Sequence, residues 1–150
     1  MYTPGKLIYF DPFYFKDGNK SKPKYFLVLK VVENNVVLAC LPSSVNHLPQ
    51  DQKIAHGCLE IPDACINCYV FEKSRPITKD GWSFPFHTML YGNWLNDFSL
   101  ELLSRNYPIE GVDYEIVGDL TDAELKDVTD CFSNSATVKR KYKKWLQLIK

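Results

Sequence analysis

Four closely spaced lysines are the first feature of this sequence that suggests binding chemistry. Residues 16–24 read KDGNKSKPK and separate two apolar, aromatic-rich runs. Ammonium groups this close together favour an anionic ligand when they border a groove. The same stretch, with Asp17-Gly18-Asn19 near its start, is also typical of a solvated turn. Composition alone favours the turn, and a site for an anion stays open as the alternative.

A second cluster has the residue types of a zinc site. His56, Cys58, Cys65 and Cys68 follow the pattern H-x-C-x6-C-x2-C. Zinc prefers thiolate and imidazole ligands, and four of them complete a tetrahedral structural site. However, the segment CINCYVF is typical of a strand, in which Cys65 and Cys68 would face opposite ways. We therefore predict buried or free thiols and no metal, with zinc as the weaker alternative.

Composition is that of an ordinary globular protein. The chain has 150 residues, of which 45% are hydrophobic, and its formal net charge is zero. This predicts one domain over 1–150 and gives no bulk-charge signal for nucleic acid or membrane. No signal-peptide pattern, no long apolar run and an odd cysteine count of five predict free thiols in the cytoplasm. We expect no cofactor and no membrane partner.

Strand patterns dominate the first part of the chain. Runs rich in β-branched and aromatic residues predict strands at 6–15, 25–32, 36–41, 65–72 and 114–118, with another inside 81–92. Residues 33–35, ENN, predict a tight hairpin turn, since Asn tolerates positive φ.

Helical patterns dominate the end. Leu95, Phe98 and Leu102 are spaced i, i+3, i+7 and predict a helix from Asn93. Thr121 and Glu124 form the pattern of a capping box, which predicts the start of a second helix. A third is predicted over 138–149, with a basic face. The predicted fold is α+β, mainly β: a small antiparallel barrel or strongly bent sheet with C-terminal helices.

The order of short motifs along the chain carries a resemblance to a known family. Gly5 precedes the first strand, Asp11-Pro12 lies near its end, and Lys22-Pro23 opens the second strand. The segments VLACLPSS and IVGDLTDAELKDV follow in the same order. This arrangement resembles the MazF/PemK/Kid family of toxins from toxin–antitoxin modules. The similarity covers residues 4–44 and 114–130, whereas the segment between them is longer than the family pattern.

The resemblance implies a fold, an activity and partners. It implies an SH3-like barrel with an added helix, a homodimer, cleavage of single-stranded RNA without metal, and neutralisation by an antitoxin. Lys22 stands where the family has a basic residue before Pro, and Ser43 and Ser44 stand where it has Thr or Ser after the third strand. His87-Thr88 is the nearest counterpart of an Arg–Thr pair. There the sequence departs from the family.

Cleavage of RNA by its own 2′-hydroxyl requires a base, an acid and cations at the phosphate. Imidazole exchanges protons near neutral pH, so His87 is the predicted base or acid. Predicted phosphate contacts come from Lys22, with Ser43 or Ser44 orienting the phosphate, and from Arg75 as a bidentate cation. Lys20, Lys24 and Thr88 are the further predicted RNA-binding residues. Tyr14, Phe15, Trp82 and Phe84 are candidate platforms for bases.

Each of these residues also has a purely structural interpretation. A lysine-rich loop is often a solvated turn, a histidine flanked by apolar residues is often part of the core, and Ser43-Ser44 after Pro42 is ordinary turn chemistry. Two other functions therefore stay open. One is a catalytically inactive RNA- or protein-binding module on the same barrel, favoured by the loss of arginine at Lys22 and His87. The other is a zinc-stabilised interaction domain.

Overall fold

The computed structural model describes residues 1–16, 18 and 20–148, and its strands form two antiparallel sheets. The strands are β1 (Lys6–Phe13), β2 (Lys22–Val32), β3 (Val36–Cys40), β4 (Gly57–Ile61), β5 (Ile66–Phe71), β6 (Thr88–Tyr91), β7 (Asn96–Ser99) and β8 (Tyr114–Asp119). One sheet has the order β7-β3-β2-β1-β8 and the other β4-β5-β6. Among the described residues, strand pairing closes no barrel. The α+β, mainly β prediction is confirmed, and the SH3-like barrel stays a prediction.

In the described part of the chain three α-helices accompany the sheets: α1 (Leu100–Asn106), α2 (Asp122–Ser133) and α3 (Arg140–Leu146). The predicted helix from Asn93 is wrong in its first half, because residues 96–99 form β7 and pair with β3. Phe98 is buried from a strand, while Leu102 is half-exposed on α1. The helix begins after Ser99, whose side chain accepts a hydrogen bond from the Leu102 backbone N–H.

The hairpin between β2 and β3 fixes the register of the larger sheet. Glu33 and Asn34 both have positive φ, 53° and 59°, which confirms the predicted tight turn. Leu27 pairs with Cys40, so the first residues of β2 run past the end of β3. They continue to pair with β1, and Lys22 and Lys24 therefore lie where only one neighbouring strand covers them.

Alternation along the strands sends side chains into two core clusters. Leu7 of β1 is buried on the face packed against α2, α3 and the smaller sheet. Its neighbour Ile8 is buried on the opposite face, with Phe10 and Phe26. Successive strand residues point to opposite faces, so the central strands of this sheet are covered on both sides. This packing holds the sheet ends in fixed positions.

Helix α2 starts as predicted, with one half of the capping box. The Thr121 hydroxyl accepts from the Glu124 backbone N–H at 3.2 Å. The Glu124 carboxylate does not complete the box, because it bonds His56 and Tyr69 instead. Val128 and Phe132 bury the predicted apolar stripe.

Helix α3 packs the predicted residues in its described part. Of the stripe predicted from its spacing (Val138, Tyr142, Trp145 and Ile149), the first two residues are buried and Trp145 is partly buried against the core. Leu146, which was not predicted, is buried as well. Ile149, which completes the predicted stripe, lies outside the described residues. Tyr142 also donates its hydroxyl to Asp97 at 2.8 Å, and this bond ties the helix to β7.

Candidate functional site

A groove of about 1010 Å³ crosses the end of the five-stranded sheet where β1 ends and β2 begins. Among the described residues, the ionisable side chains that line it are all lysines: Lys16, Lys20, Lys22, Lys24 and Lys139. Aromatic rings line it as well: Phe13, Phe15, Trp94 and Phe98. The four lysines of residues 16–24 thus line an aromatic-lined groove, and Lys139, the residue before α3, adds a fifth cation.

Strand register aims two of these lysines the same way. Lys22 pairs with Phe13 and Lys24 with Phe10, so they are two residues apart on β2 and share a face. The Lys24 ammonium donates to the carbonyl of Pro42, just after β3, at 3.4 Å. Burial, and then the charge of Lys22, lower the pKa of Lys24. Two cations are therefore held close together at the start of β2.

Lys16, three residues after β1, lines the groove and contacts β7. Its ammonium donates to Asn96 Oδ1 and to the backbone carbonyl of Asp97, and it lies 4.6 Å from the centre of the Phe98 ring. Among the described residues, no carboxylate lies within 4.0 Å of the ammonium of any lysine that lines the groove. Cations grouped without counter-charges raise the local concentration of anions.

Trp94 supplies an accessible aromatic surface at the groove. It ends a short 3-10 turn over residues 92–94 and remains 42% exposed. Its ring centre is 4.7 Å from that of Tyr91 and 5.3 Å from that of His47. The indole is thus supported by Tyr91 and His47 while part of it faces solvent. This combination suits stacking against a planar ligand group.

His47, next to Trp94, is the titratable residue that sequence reasoning missed. The Tyr91 hydroxyl fixes its loop: it accepts from the His47 backbone N–H at 2.9 Å and donates to the Val45 carbonyl at 2.6 Å. In the described part of the chain, no group bonds either ring nitrogen of His47. The predicted strand order could have indicated His47, because the loop that follows β3 lies at the same end of the sheet as the connection from β1 to β2.

The structure does not bring the predicted site residues into one place. Lys20, Lys22 and Lys24 line the groove. Ser43 is buried, pairs through its backbone with Met89, and accepts at Oγ from the Val45 N–H. Ser44 follows it and is exposed. Neither serine lines the groove, and the contacts of Ser43 are those of a turn residue.

The remaining predicted residues lie on the smaller sheet. His87 precedes β6 and accepts at Nδ1 from the Lys73 backbone N–H at 3.2 Å. Thr88 is buried and donates to the Phe86 carbonyl at 2.9 Å. Arg75 is exposed and lines a different cavity. His87, Thr88 and Arg75 are therefore absent from the residues that line the lysine groove.

That second cavity, of about 520 Å³, lies between the three-stranded sheet and α2. A disulfide between Cys58 and Cys131 lines it, with the two Cα atoms 5.5 Å apart. The prediction that all five cysteines are free is thus wrong for this pair, while Cys40, Cys65 and Cys68 are free thiols. Sequence reasoning failed because Cys131 is 73 positions from Cys58 and reaches it only through the packing of α2 on β4.

The alternative zinc site is also wrong. Cys58 is in the disulfide, and both nitrogens of His56 are occupied: Nδ1 accepts from the Glu72 N–H and Nε2 donates to Glu124 at 2.5 Å. No group of three potential ligands converges within the described residues. Tyr69 donates to the other oxygen of Glu124 at 3.1 Å, and its pKa is raised by burial and then by that carboxylate.

Comparison of the chain with protein-family models, curated proteins and solved structures found no match. None of the helices described here is long and apolar enough to cross a membrane.

Proposed function

We propose that this protein binds single-stranded RNA in the lysine-lined groove. The observation that carries this proposal is that five lysines line one groove together with two partly exposed aromatic rings, Phe15 and Trp94. Proteins that bind single-stranded nucleic acid combine a basic groove for the backbone with aromatic side chains on which bases stack. RNA is also the substrate that the resemblance to MazF/PemK/Kid toxins implies.

The aromatic rings favour a single strand over a duplex. In a duplex the base faces are stacked inside the helix, whereas in a single strand they are free to meet Trp94 or Phe15. Lys22 and Lys24 lie on the strand side of the groove and Lys139 before α3. A phosphate backbone held by these lysines would leave its bases free to turn toward Trp94.

Binding of a labelled, mixed-sequence single-stranded RNA, measured by fluorescence anisotropy, tests this proposal. The double variant Lys22→Ala/Lys24→Ala should bind at least about ten-fold more weakly, and the slope of log K against log salt should fall by about 1.4. The matched control is Lys53→Ala/Lys73→Ala, which removes two exposed lysines outside the groove. Equal losses in both variants, or equal affinity for a duplex, would contradict the proposal.

A second function, cleavage of the bound RNA without metal, is favoured by His47, which does not line the groove itself but packs against Trp94, which does. An unprotonated imidazole there would take the 2′-hydroxyl proton. The 2′-oxygen would attack phosphorus, and the departing 5′-oxygen would take a proton from a groove lysine. This would leave a 2′,3′-cyclic phosphate and a 5′-hydroxyl. His47 takes the role that the sequence assigned to His87.

The cleavage test compares His47→Ala with His87→Ala. We expect His47→Ala to slow cleavage at least about 100-fold and His87→Ala to leave the rate nearly unchanged. Binding of a 2′-O-methyl RNA, which cannot be cleaved, should be equal in both variants. If the wild type binds RNA but leaves it intact, cleavage is excluded and the binding function stands.

The other features implied by the resemblance belong to the same proposal. They are an SH3-like barrel, a homodimer, an antitoxin partner and a cytoplasmic location. Light scattering during gel filtration measures the predicted dimer. In the cytoplasm, the disulfide between Cys58 and Cys131 would be exposed to reduction by the glutathione pool.

A further inference from the structure

The disulfide faces an open cavity from one exposed and one buried cysteine. Cys58 lies on β4 and is exposed, whereas Cys131 on α2 is only 5% exposed. Both line the cavity between the smaller sheet and α2. A thiolate attacking from solvent therefore reaches the sulfur of Cys58 first, and Cys131 is the leaving group.

The surroundings of Cys131 already suit its reduced form. Its Sγ lies 3.7 Å from the backbone carbonyl of Cys68. A disulfide sulfur has no proton to donate to that oxygen, but a Cys131 thiol has one. The Asn67 side-chain amide lies 3.5 Å from the same sulfur and donates toward it, which stabilises a thiolate. Asn67 is 2% exposed, so these contacts are sheltered from water.

Charges around the cavity complement a small zwitterionic thiol. Arg75 supplies a cation for a carboxylate. Asp127 lines the same cavity and supplies an anion for an ammonium group. Glu60 and Asp130 also line it but bond Ser135 and Lys126. His56 takes no part as a base, because both of its nitrogens are bonded. The incoming thiolate must therefore come from the thiolate fraction of the thiol in solution.

We propose that Cys58–Cys131 is a thiol–disulfide exchange site that takes a glutathione-class peptide thiol on Cys58. The thiolate attacks Cys58 Sγ, the bond to Cys131 breaks, and Cys131 leaves as a thiolate that takes a proton from water. A second thiolate attacks the sulfur of the bound thiol. This releases Cys58 and the oxidised disulfide of the small thiol. Two thiols are oxidised and one protein disulfide is reduced.

The test compares the two halves of the bond in folded protein. In a Cys65→Ser background, which removes the exposed free thiol, Cys131→Ser leaves Cys58 alone and Cys58→Ser leaves Cys131 alone. Both variants lose the same disulfide, so they are matched for its loss. Treated with oxidised glutathione and analysed by peptide mass spectrometry, Cys58 should be modified at least about ten-fold faster than Cys131. Equal rates would overturn the proposal.

Two further measurements separate exchange from unfolding and identify the thiol class. In the wild-type chain, reduced glutathione followed by alkylation should label Cys58 while buried Cys40 stays unlabelled. Labelling of both together would show that the bond opens only through unfolding and would overturn the proposal. Arg75→Gln should slow the reaction with glutathione about three-fold and leave that with neutral 2-mercaptoethanol unchanged. Equal effects on both reagents would overturn the zwitterionic-thiol assignment.

Discussion

The lysine groove and the disulfide cavity differ in how the charged side chains around them are bonded. Beside the cavity, Glu124 accepts from the lining residues His56 and Tyr69, and Glu60 accepts from the Ser135 hydroxyl. In the groove, the lysines collect on one surface without a described carboxylate within ion-pair distance. Polar groups that satisfy one another stabilise a fold, whereas like charges held together gain most from a bound counter-charge. The difference indicates that the groove is arranged for an anionic ligand, and that the bonded groups beside the cavity hold α2.

The largest expected effect is that of removing the Phe132 ring. It tests whether apolar packing or polar contacts hold α2 in place. Phe132 is fully buried between α2 and the sheets, so Phe132→Ala should lower the free energy of unfolding by about 3–5 kcal/mol. Urea unfolding followed by circular dichroism measures it. Phe86→Ala, at a phenylalanine that is 67% exposed, is the control and should cost under about 0.5 kcal/mol. A small loss of unfolding free energy for Phe132→Ala would mean that polar contacts, and not apolar packing, hold α2 in place.

His56 beside the cavity and His47 beside Trp94 allow the contributions of the two regions to stability to be compared. His56→Ala removes a donor to Glu124, which is only 13% exposed, and should cost about 1–3 kcal/mol of unfolding free energy. His47→Ala removes an exposed ring and should change stability by less than about 0.5 kcal/mol. The same urea titration measures both. A reversal of this order would mean that His47 is structural and His56 is the free group.

Local sequence patterns predicted the strands and helices better than the contacts between them. Alternating apolar residues gave β1, β2, β3, β5 and β8 within a few residues, because each strand buries its own alternating face. Leu95 and Phe98 misled the helix prediction, since the same spacing fits a short strand that is buried on one side. What decided between them was pairing of β7 with β3, which no local window contains.

The candidate sites depend on contacts between distant parts of the chain, which local sequence patterns do not predict. Lys20, Lys22 and Lys24 were found because they are neighbours in the chain. Lys139 joins them only after α3 packs near β7, and Cys131 meets Cys58 only after α2 packs on β4. Neither contact leaves a periodic signal. The topology of three antiparallel strands nevertheless placed the loop that leaves β3 beside the lysine stretch, and that cue points to His47.

Trp94 is the exposed aromatic ring of the groove, and its removal tests base stacking. If a base stacks on its exposed face, Trp94→Ala should weaken binding of single-stranded RNA by about 1–2 kcal/mol, or roughly ten-fold. Anisotropy with the same labelled RNA measures it. Phe86→Ala is again the control, because Phe86 is exposed but does not line the groove. Unchanged affinity for Trp94→Ala would leave the lysines as an electrostatic surface without base stacking.

The smallest expected effect is a pH dependence that comes from Lys24. Burial and the neighbouring Lys22 lower its pKa in the free protein, whereas a bound phosphate would favour the charged amine. Below the lowered pKa the amine is already protonated, so affinity is full. As pH rises through it, binding must take up a proton and affinity falls, before ordinary lysines titrate near about 10.4.

Lys24→Arg keeps its charge across this range and should flatten the pH profile, with a difference from the wild type of a few-fold at most. The measurement is RNA affinity at fixed ionic strength from neutral pH upward. Parallel profiles would show that no phosphate contacts Lys24. Phosphate binding would then fall to Lys16, Lys20, Lys22 or Lys139, which line the rest of the groove. A steeper wild-type profile would place a phosphate at the start of β2, where the fold holds two cations together without a described counter-charge.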